Sequence, residues 1–391
     1  MDFQLPAEVE KLQIELRDFM TKEIRPIADV RDQQGPLSKK ELAEIIQKCN
    51  KVGYVYSWVP AEWGGKPRTY LEHVIEAEEM CRVWPALSAT VDTHSGTLRL
   101  LAQTAPEEMK KRLVPPGLVG EVIACDMVSE PQAGSDTRGF RTTAILDGDY
   151  YIVNGEKMWQ TNGPWSDVGV LTAIGDPEAY ARNPREGVIT LAIERSSGWK
   201  VRDLPFIGLR AGMTGHFVFN NCKVPKENVL RPTGMGYQQA LNVRGWARVN
   251  VAAQGLGVMQ AALEDSIEWC KKRMAFDRPI GGFQLVQEMI ADMATDLSCS
   301  RMLTYRAAAM MDAGVRCDLE QNMCKYFTVE ASKRVTDKAI QIHGARGLTT
   351  HEGFRLERYY RDAAVGHIAE GTQNVLRLVI GRRLLGLSAI Q

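Results

Sequence analysis

The sequence predicts an α+β chain in three consecutive parts: helical, then β, then helical again. Three observations predict it. Apolar residues recur at helical spacing over roughly the first 120 residues. From Glu121 to Pro232 the texture changes to short β-type runs separated by turn dipeptides. From Gly236 the helical period returns in longer stretches. Helices before and after a β block argue for segregated layers and against an alternating parallel sheet. The expected divisions are an N-terminal helical domain over 1–120, a central β domain over 121–232 and a C-terminal helical domain over 233–391.

In the first part, Leu42, Ile45, Ile46 and Cys49 mark a helix over 39–52, and a second covers 69–83, stopped by Trp84-Pro85. The β block contains strand-like runs at 140–146, 188–193 and 217–219, with Asp147-Gly148 and Asn154-Gly155 as turn signals. Pro225 and Pro232 close it. Long helical patterns then cover 250–273, 283–313 and 319–342, and a last one covers 375–385. No internal repeat or low-complexity tract interrupts the chain.

At 391 residues the chain exceeds one typical core, and 45% hydrophobic with 25% charged residues is ordinary soluble composition. Lys plus Arg and Asp plus Glu both number 48. A neutral chain has no long-range field to steer nucleic acid or an anionic membrane, so neither is an expected partner. An anionic ligand must be held by local Arg, Lys and helix ends. The amphipathic, acidic N-terminus resembles neither a secretory signal nor a transit peptide. No run approaches bilayer length. Eight Cys without a CxxC pair suggest no metal site and no redox dithiol, and fit reduced thiols in a cytoplasmic protein.

Five segments carry candidate chemistry. In MVSEPQAGSD (127–136), Gly134 permits a tight turn, and Ser129 and Ser135 offer hydroxyls beside amides able to hold an anion or a polar ring edge. A polar inter-strand loop is the plainer account. In KMWQTNG (157–163), Trp159 and Thr161 are spaced to share one strand face, which suits a flat heterocycle, although a lone Trp more often belongs to a core. In RMAFDRPIGGFQ (273–284), Arg273 follows a long helix, where its charge also suits the helix end. In QIHGARG (341–347), Gly344 reads as a C-cap. In RDAAVGHIAEGTQN (361–374), Glu370 precedes a Gly and a Thr that open the last helix, where a carboxylate usually serves as a cap or dipole partner.

Taken together, VSEPQAGSD, KMWQTNG, KRMAFDRPIGGFQ, QIHGARG and RDAAVGHIAEGTQN make the chain resemble the acyl-CoA dehydrogenase family over essentially its whole length. The resemblance implies a C-terminal domain of four helices, with FAD between it and the β domain and a neighbouring subunit of a homotetramer completing the site. Ser129, Ser135, Trp159 and Thr161 are then expected at the flavin ring and adjoining chain. Arg273, Phe276, Gln284, Gln341 and Gly344 are expected at the pyrophosphate and adenosine, across a subunit interface. Thr372 and Asn374 are expected to touch FAD beside Glu370.

Glu370 matches the family's catalytic base. The implied reaction removes a proton from the Cα of an acyl-CoA thioester, transfers hydride from Cβ to FAD, and passes the electrons to an electron-transferring flavoprotein. The peptide N–H of Glu370 and a ribityl hydroxyl would hold the thioester oxygen. An apolar pocket would raise the carboxylate pKa. An acyl-CoA oxidase would share these motifs and use oxygen. A flavin-binding stress-protection member would lack acyl-CoA turnover and could lose the base, which here is intact.

Arg248 matches a family Arg that contacts CoA, and Ala369 and Gly371 flank the base on the substrate side. Several positions depart from the pattern. Ala369 stands where Tyr is usual and leaves room for a bulkier acyl group. Ala247 removes the alternative catalytic Glu of long-chain and branched types, and Gly245 replaces an acidic residue near the pantetheine. Gln373, Asn374, Ala345 and Met127 also differ. The segment SATVDTH (88–94) should line the acyl pocket. The glutaryl-CoA branch places an Arg and a Ser there; here Ser88 and Asp92 stand nearest, and a second carboxylate would repel a dicarboxylic acyl group. Some members acting on cyclohexene-type rings use an Asp from this helix as a base, so Asp92 is a candidate second acid/base. A hydrogen bond to Thr93 or His94 is its plainer role. A cyclic acyl-CoA is the expected substrate.

Overall fold

The N-terminal part of the computed structural model begins with α1 (Ala7–Phe19), which runs through a π-helical turn (Met20–Ile24) into α2 (Arg25–Arg31). Residues 4–350 and 353–387 are described, with only the backbone for 236–244; the extreme ends of the expected N- and C-terminal domains, 1–3 and 388–391, lie outside them. Two capping boxes set the next starts. Ser38 and Glu41 open α3 (Lys39–Cys49), and Thr69 and Glu72 open α4 (Tyr70–Val83), each hydroxyl accepting from the Glu amide while the carboxylate accepts from the cap amide. Pro85 occupies the first turn of α5 (Pro85–Thr104), so Trp84-Pro85 ends one helix and begins the next. α6 (Glu107–Leu118) completes the layer.

The β block is one mixed sheet. Its strands are β1 (Ala124–Met127), β2 (Thr143–Asp147), β3 (Tyr150–Thr161), β4 (Val168–Ile174), β5 (Val188–Glu194), β6 (Lys200–Asp203), β7 (Thr214–Pro225) and β8 (Val229–Arg231), with the short α7 (Pro177–Arg182) between β4 and β5. The order is β6-β7-β3-β2-β4-β5-β8, and β1 pairs in parallel with β4. β4 is buried along its whole length. It sends Val168 and Val170 into the core shared with the N-terminal helices, and Leu171 and Ala173 into the sheet's own core with Ile189, Leu191 and Phe217.

One expected turn is corrected. Asp147-Gly148 does lie at the β2–β3 hairpin, but Asn154-Gly155 lies inside β3, where the register with β7 shifts between Val153 and Gly155. Gly155 has φ +133, and a Cβ there would come within 2.6 Å of Thr142 Cα. The dipeptide marks a bulge under a neighbouring backbone, not a chain reversal.

The C-terminal part is built on α8 (Gly236–Lys272), α9 (Gln284–Asp312) and α10 (Asp318–His343). A two-stranded hairpin, β9 (Met274–Ala275) and β10 (Arg278–Pro279), joins the first two. The shorter α11 (Leu356–Gly366) and α12 (Gln373–Leu385) pack on α10. Small side chains let α8 approach its neighbours: Ala252, Ala253 and Ala262 are buried, and a Cβ on Gly257 would lie 2.2 Å from the Glu78 carbonyl of α4. Among the described residues no helix is long and apolar enough to cross a membrane.

Candidate active site

The VSEPQAGSD loop is held against β3 by a buried ion pair that the sequence reading missed. Lys157 and Glu130 are 0% and 1% exposed, and the Lys157 ammonium donates to Glu130 Oε1 at 2.8 Å and to the Val128 carbonyl at 2.7 Å. Glu130 also accepts from the amides of Arg141 (2.7 Å) and Thr142 (3.1 Å). Burial pulls the Lys157 pKa down to about 8 against the pull of Glu130. Ser129 is positioned by its backbone, whose carbonyl accepts from Met158 N and Gln160 Nε2, both at 2.9 Å. Ser135 stands exposed on the same loop.

Trp159 and Thr161 do not share a strand face by simple alternation. Trp159 has φ +65, and the register with β7 slips between Met158 and Gln160. The bulge breaks the period and leaves the indole 46% exposed. A left-handed backbone at a bulky aromatic residue is an outlier of the kind that collects at ligand sites.

From here α5 and α8 lead towards Glu370. Asn162, at the end of β3, donates to the Thr90 carbonyl of α5 at 2.9 Å. Two residues further along α5, Asp92 Oδ2 accepts from Ser88 (2.9 Å) and, across the α5–α8 seam, from Asn250 (3.1 Å) and Gln254 (3.2 Å). These partners replace the expected Thr93 or His94, because His94 faces inward to Gly117 and Ala124. Among the described residues three neutral donors and no cation meet the Asp92 carboxylate, and burial raises its pKa. On α8, Arg248 is half-buried and close enough to Lys325 of α10 to disfavour its charge.

Lys325 is wholly buried, and its ammonium donates to the carbonyls of Ala369 and Gly371. Between them Glu370 takes φ +54, followed by Gly371 at +99. The peptide N–H of Glu370 makes no hydrogen bond among the described residues. Its side chain is exposed in the single chain. The expected apolar enclosure of the carboxylate is therefore not supplied by this chain alone. Thr372 caps α12, its hydroxyl accepting from Val375 N at 3.4 Å. Asn374 lies one residue inside the helix and accepts from Arg377. Gln373 anchors the helix start by donating to the Tyr326 carbonyl at 3.1 Å.

The RD pair of the fifth segment ties this turn to the other two layers. Arg361 reaches Asp32 (2.8 Å), Glu357 (2.6 Å) and the Ile207 carbonyl (3.2 Å), while Asp362 accepts from Leu209 N at 2.6 Å. Burial pushes the Asp362 pKa up to about 7.

Arg273, Phe276, Gln284, Gln341 and Gly344 form a second group, at the far end of the bundle. Trp269 of α8 stacks on His343 of α10 with centroids 5.4 Å apart, which brings those two helix ends together. Gln341 lies about 24 Å along α10 from Lys325, at 1.5 Å per residue. The five residues are exposed, and Phe276 is 89% exposed at the tip of the 274–279 hairpin. Phe276 and Asp277 both have positive φ, a type I′ geometry that the sequence signals poorly because neither is Gly. Gly344 caps α10 as expected.

The residues suit FAD. An exposed indole held by a bulge beside Ser129, and a free peptide N–H at Glu370, meet the needs of a flavin ring and a thioester. The exposed Arg273 and Gln341 are a cation and an amide of the kind that could meet a dinucleotide's far end.

The acyl-CoA dehydrogenase N-terminal, middle and C-terminal domain models match residues 6–121, 125–222 and 234–385. A glutaryl-CoA dehydrogenase of Desulfococcus multivorans is 33% identical over 393 residues, covering 99% of each chain. Subunit CarC of the caffeyl-CoA reductase-Etf complex of Acetobacterium woodii is 34% identical over 94% of this chain and 96% of its own. A solved glutaryl-coenzyme A dehydrogenase glutaryl-CoA complex superposes with a TM-score of 0.91 at 33% identity, covering 99% of this chain and 97% of that one.

Proposed function

The chain belongs to the acyl-CoA dehydrogenase family, and from that premise we propose that Glu370 is the base that takes the Cα proton of its thioester substrate. As a family member it is an FAD-dependent oxidoreductase acting on the CH–CH bond of an acyl-CoA. Bound FAD supplies the acceptor for the Cβ hydride.

The observation that carries the reading is the Glu370 turn. A non-glycine residue in the left-handed region is costly and persists only where its surroundings impose it. Here it combines an exposed carboxylate with an unengaged peptide N–H. The carboxylate can accept the Cα proton while the N–H of the same residue holds the carbonyl oxygen on which charge develops. Trp159, Thr161, Ser129 and Ser135 would hold the flavin end, with Thr372 and Asn374 beside the base. Arg248, Ala369 and Gly371 would flank the thioester and CoA path.

Arg273, Phe276, Gln284, Gln341 and Gly344 would serve the FAD of a neighbouring copy, most simply in a homotetramer. The exposed Phe276, Leu285 and Met274 around them suit a covered interface. Arg273→Ala is expected to lower FAD occupancy and weaken assembly together, because a phosphate loses its paired charge. Light scattering with the flavin-to-protein absorbance ratio checks this; a fully loaded, normally assembled variant would refute the cross-subunit role. Electrons leave to an electron-transferring flavoprotein in this reading, supported by the Etf-complex subunit among the relatives. Eight free thiols, seven of them buried, suit a cytoplasmic setting.

For the acyl group, the reading is a bulky, cyclic acyl-CoA. Ala369 leaves space beside the reacting carbons, Ala247 carries no rival base, and Asp92 brings an uncompensated carboxylate to the α5–α8 seam. A buried carboxyl held by neutral donors offers the distal carboxylate of a dicarboxylic chain no cation to pair with. The test is kcat/KM for cyclohexanecarboxyl-CoA, butyryl-CoA and glutaryl-CoA on wild type, Ala369→Tyr and Asp92→Asn. Wild type is expected to prefer the ring, Ala369→Tyr to exclude it while sparing butyryl-CoA, and Asp92→Asn to slow the ring most. A tenfold preference of wild type for butyryl-CoA or glutaryl-CoA would remove the cyclic reading.

A further inference from the structure

We propose that Lys325 is the positioning residue for Glu370, holding the carbonyls on either side of it; this rests on reading Glu370 as the base. Lys325 lies two turns into α10, 46 residues before Gly371, and has no exposed surface. A lysine there carries a desolvation cost, which pulls its pKa down to about 8. An apolar side chain of similar length would fill the space without that cost. What only the ammonium supplies is donation to two acceptors at once, the Ala369 and Gly371 carbonyls.

Those carbonyls meet on one cation with Glu370 at φ +54 between them. The ammonium thus ties down both ends of a strained turn whose own backbone gives it little support: the amides of Ile368 and Ala369 bond back to Val365, and Gln373 N bonds to the His367 carbonyl. With the clamp removed, Glu370 is free to relax towards the ordinary helical or extended regions, carrying its carboxylate and N–H away from any bound thioester. The charged groups bearing on Lys325 are Glu370 in the turn, Arg248 on α8 and His367 at the end of α11, with Cys324 beside it.

The test compares wild type, Lys325→Met and Lys325→Arg as holoenzymes. FAD content, amide exchange across 368–372, and the pH profile of flavin reduction are measured with whichever of the three acyl-CoAs bleaches wild type fastest. Lys325→Met is expected to retain FAD, exchange faster across the turn, and reduce flavin about 10²-fold more slowly, the scale of a misplacement of roughly 1 Å. Lys325→Arg should recover at least about tenfold of that loss, and keep its rate above pH about 8, where wild type declines as its lysine discharges and the two bonds weaken. A Met variant with wild-type exchange and rate, or an Arg variant no faster than Met, would overturn the proposal. Should the Met variant not fold, the Arg variant decides by itself, since a basic limb identical to that of wild type contradicts it. Glu370→Gln, measured alongside, separates the claims: normal flavin reduction there removes the base assignment, while amide exchange in Lys325→Met still reports on the clamp.

Discussion

Glu370→Gln is expected to purify with FAD bound, melt close to wild type and reduce its flavin roughly 10²–10⁴-fold more slowly, the range a general base contributes. The amide is nearly the size of the carboxylate, and the contacts that shape the turn are to backbone, so the substitution leaves them in place. The peptide N–H, and with it the hold on the thioester oxygen, also survives. KM should therefore change little and the loss should fall on kcat, as for an interaction made in the transition state. Anaerobic stopped-flow absorbance reads this directly. Bleaching at the wild-type rate would remove Glu370 from the role and turn attention to Asp92.

The second large effect is structural. Lys157→Met is expected to destabilise the protein by about 3–5 kcal/mol, because the Glu130 carboxylate would stay buried without its cation. Two backbone amides still bond to Glu130, but they do not neutralise it. The double variant Glu130→Gln with Lys157→Met should recover more than half of the loss, since no charge is then left buried. The loop carrying Ser129 and Ser135 is fixed by this pair, so the single variant should also release FAD more readily. Thermal melts at one scan rate, with flavin fluorescence as a second probe, test both points. A single variant within about 1 kcal/mol of wild type would show that the neutral hydrogen bonds suffice.

The order of layers was legible because hydrophobic period is a local property: Leu42, Ile45 and Ile46 report a helix regardless of what they pack against. The start of the last helix was legible for the same reason, Thr372 being a usable cap. The Asn154-Gly155 error arose because a bulge and a turn ask for the same residues, and only the strand paired alongside distinguishes them. The hairpin at 274–279 escaped because Phe276 and Asp277 do not advertise left-handed backbone.

Within the site, the residues carried over from the family motifs fell into two groups, and that division was implied by resemblance, not by spacing. Lys157, Glu130 and Lys325 were missed outright. A lysine in a polar helix or strand looks like solvated charge, and its burial depends on partners far away in the chain: Glu130 for one, the turn around Glu370 for the other. Lys157 had one available signal, since it stands inside KMWQTNG and Glu130 inside VSEPQAGSD. Lys325 had none.

The central claim, that this chain removes the Cα proton of an acyl-CoA with Glu370, is tested most directly by proton exchange. The active acyl-CoA is incubated in D2O with wild type, Glu370→Gln or Asp92→Asn, and deuterium at C2 of the recovered thioester is followed by NMR. Exchange at C2 reads proton abstraction without requiring hydride transfer. Incorporation by wild type and Asp92→Asn, with a loss of roughly 10²-fold or more in Glu370→Gln, is the expected result. Undiminished incorporation by Glu370→Gln would contradict it.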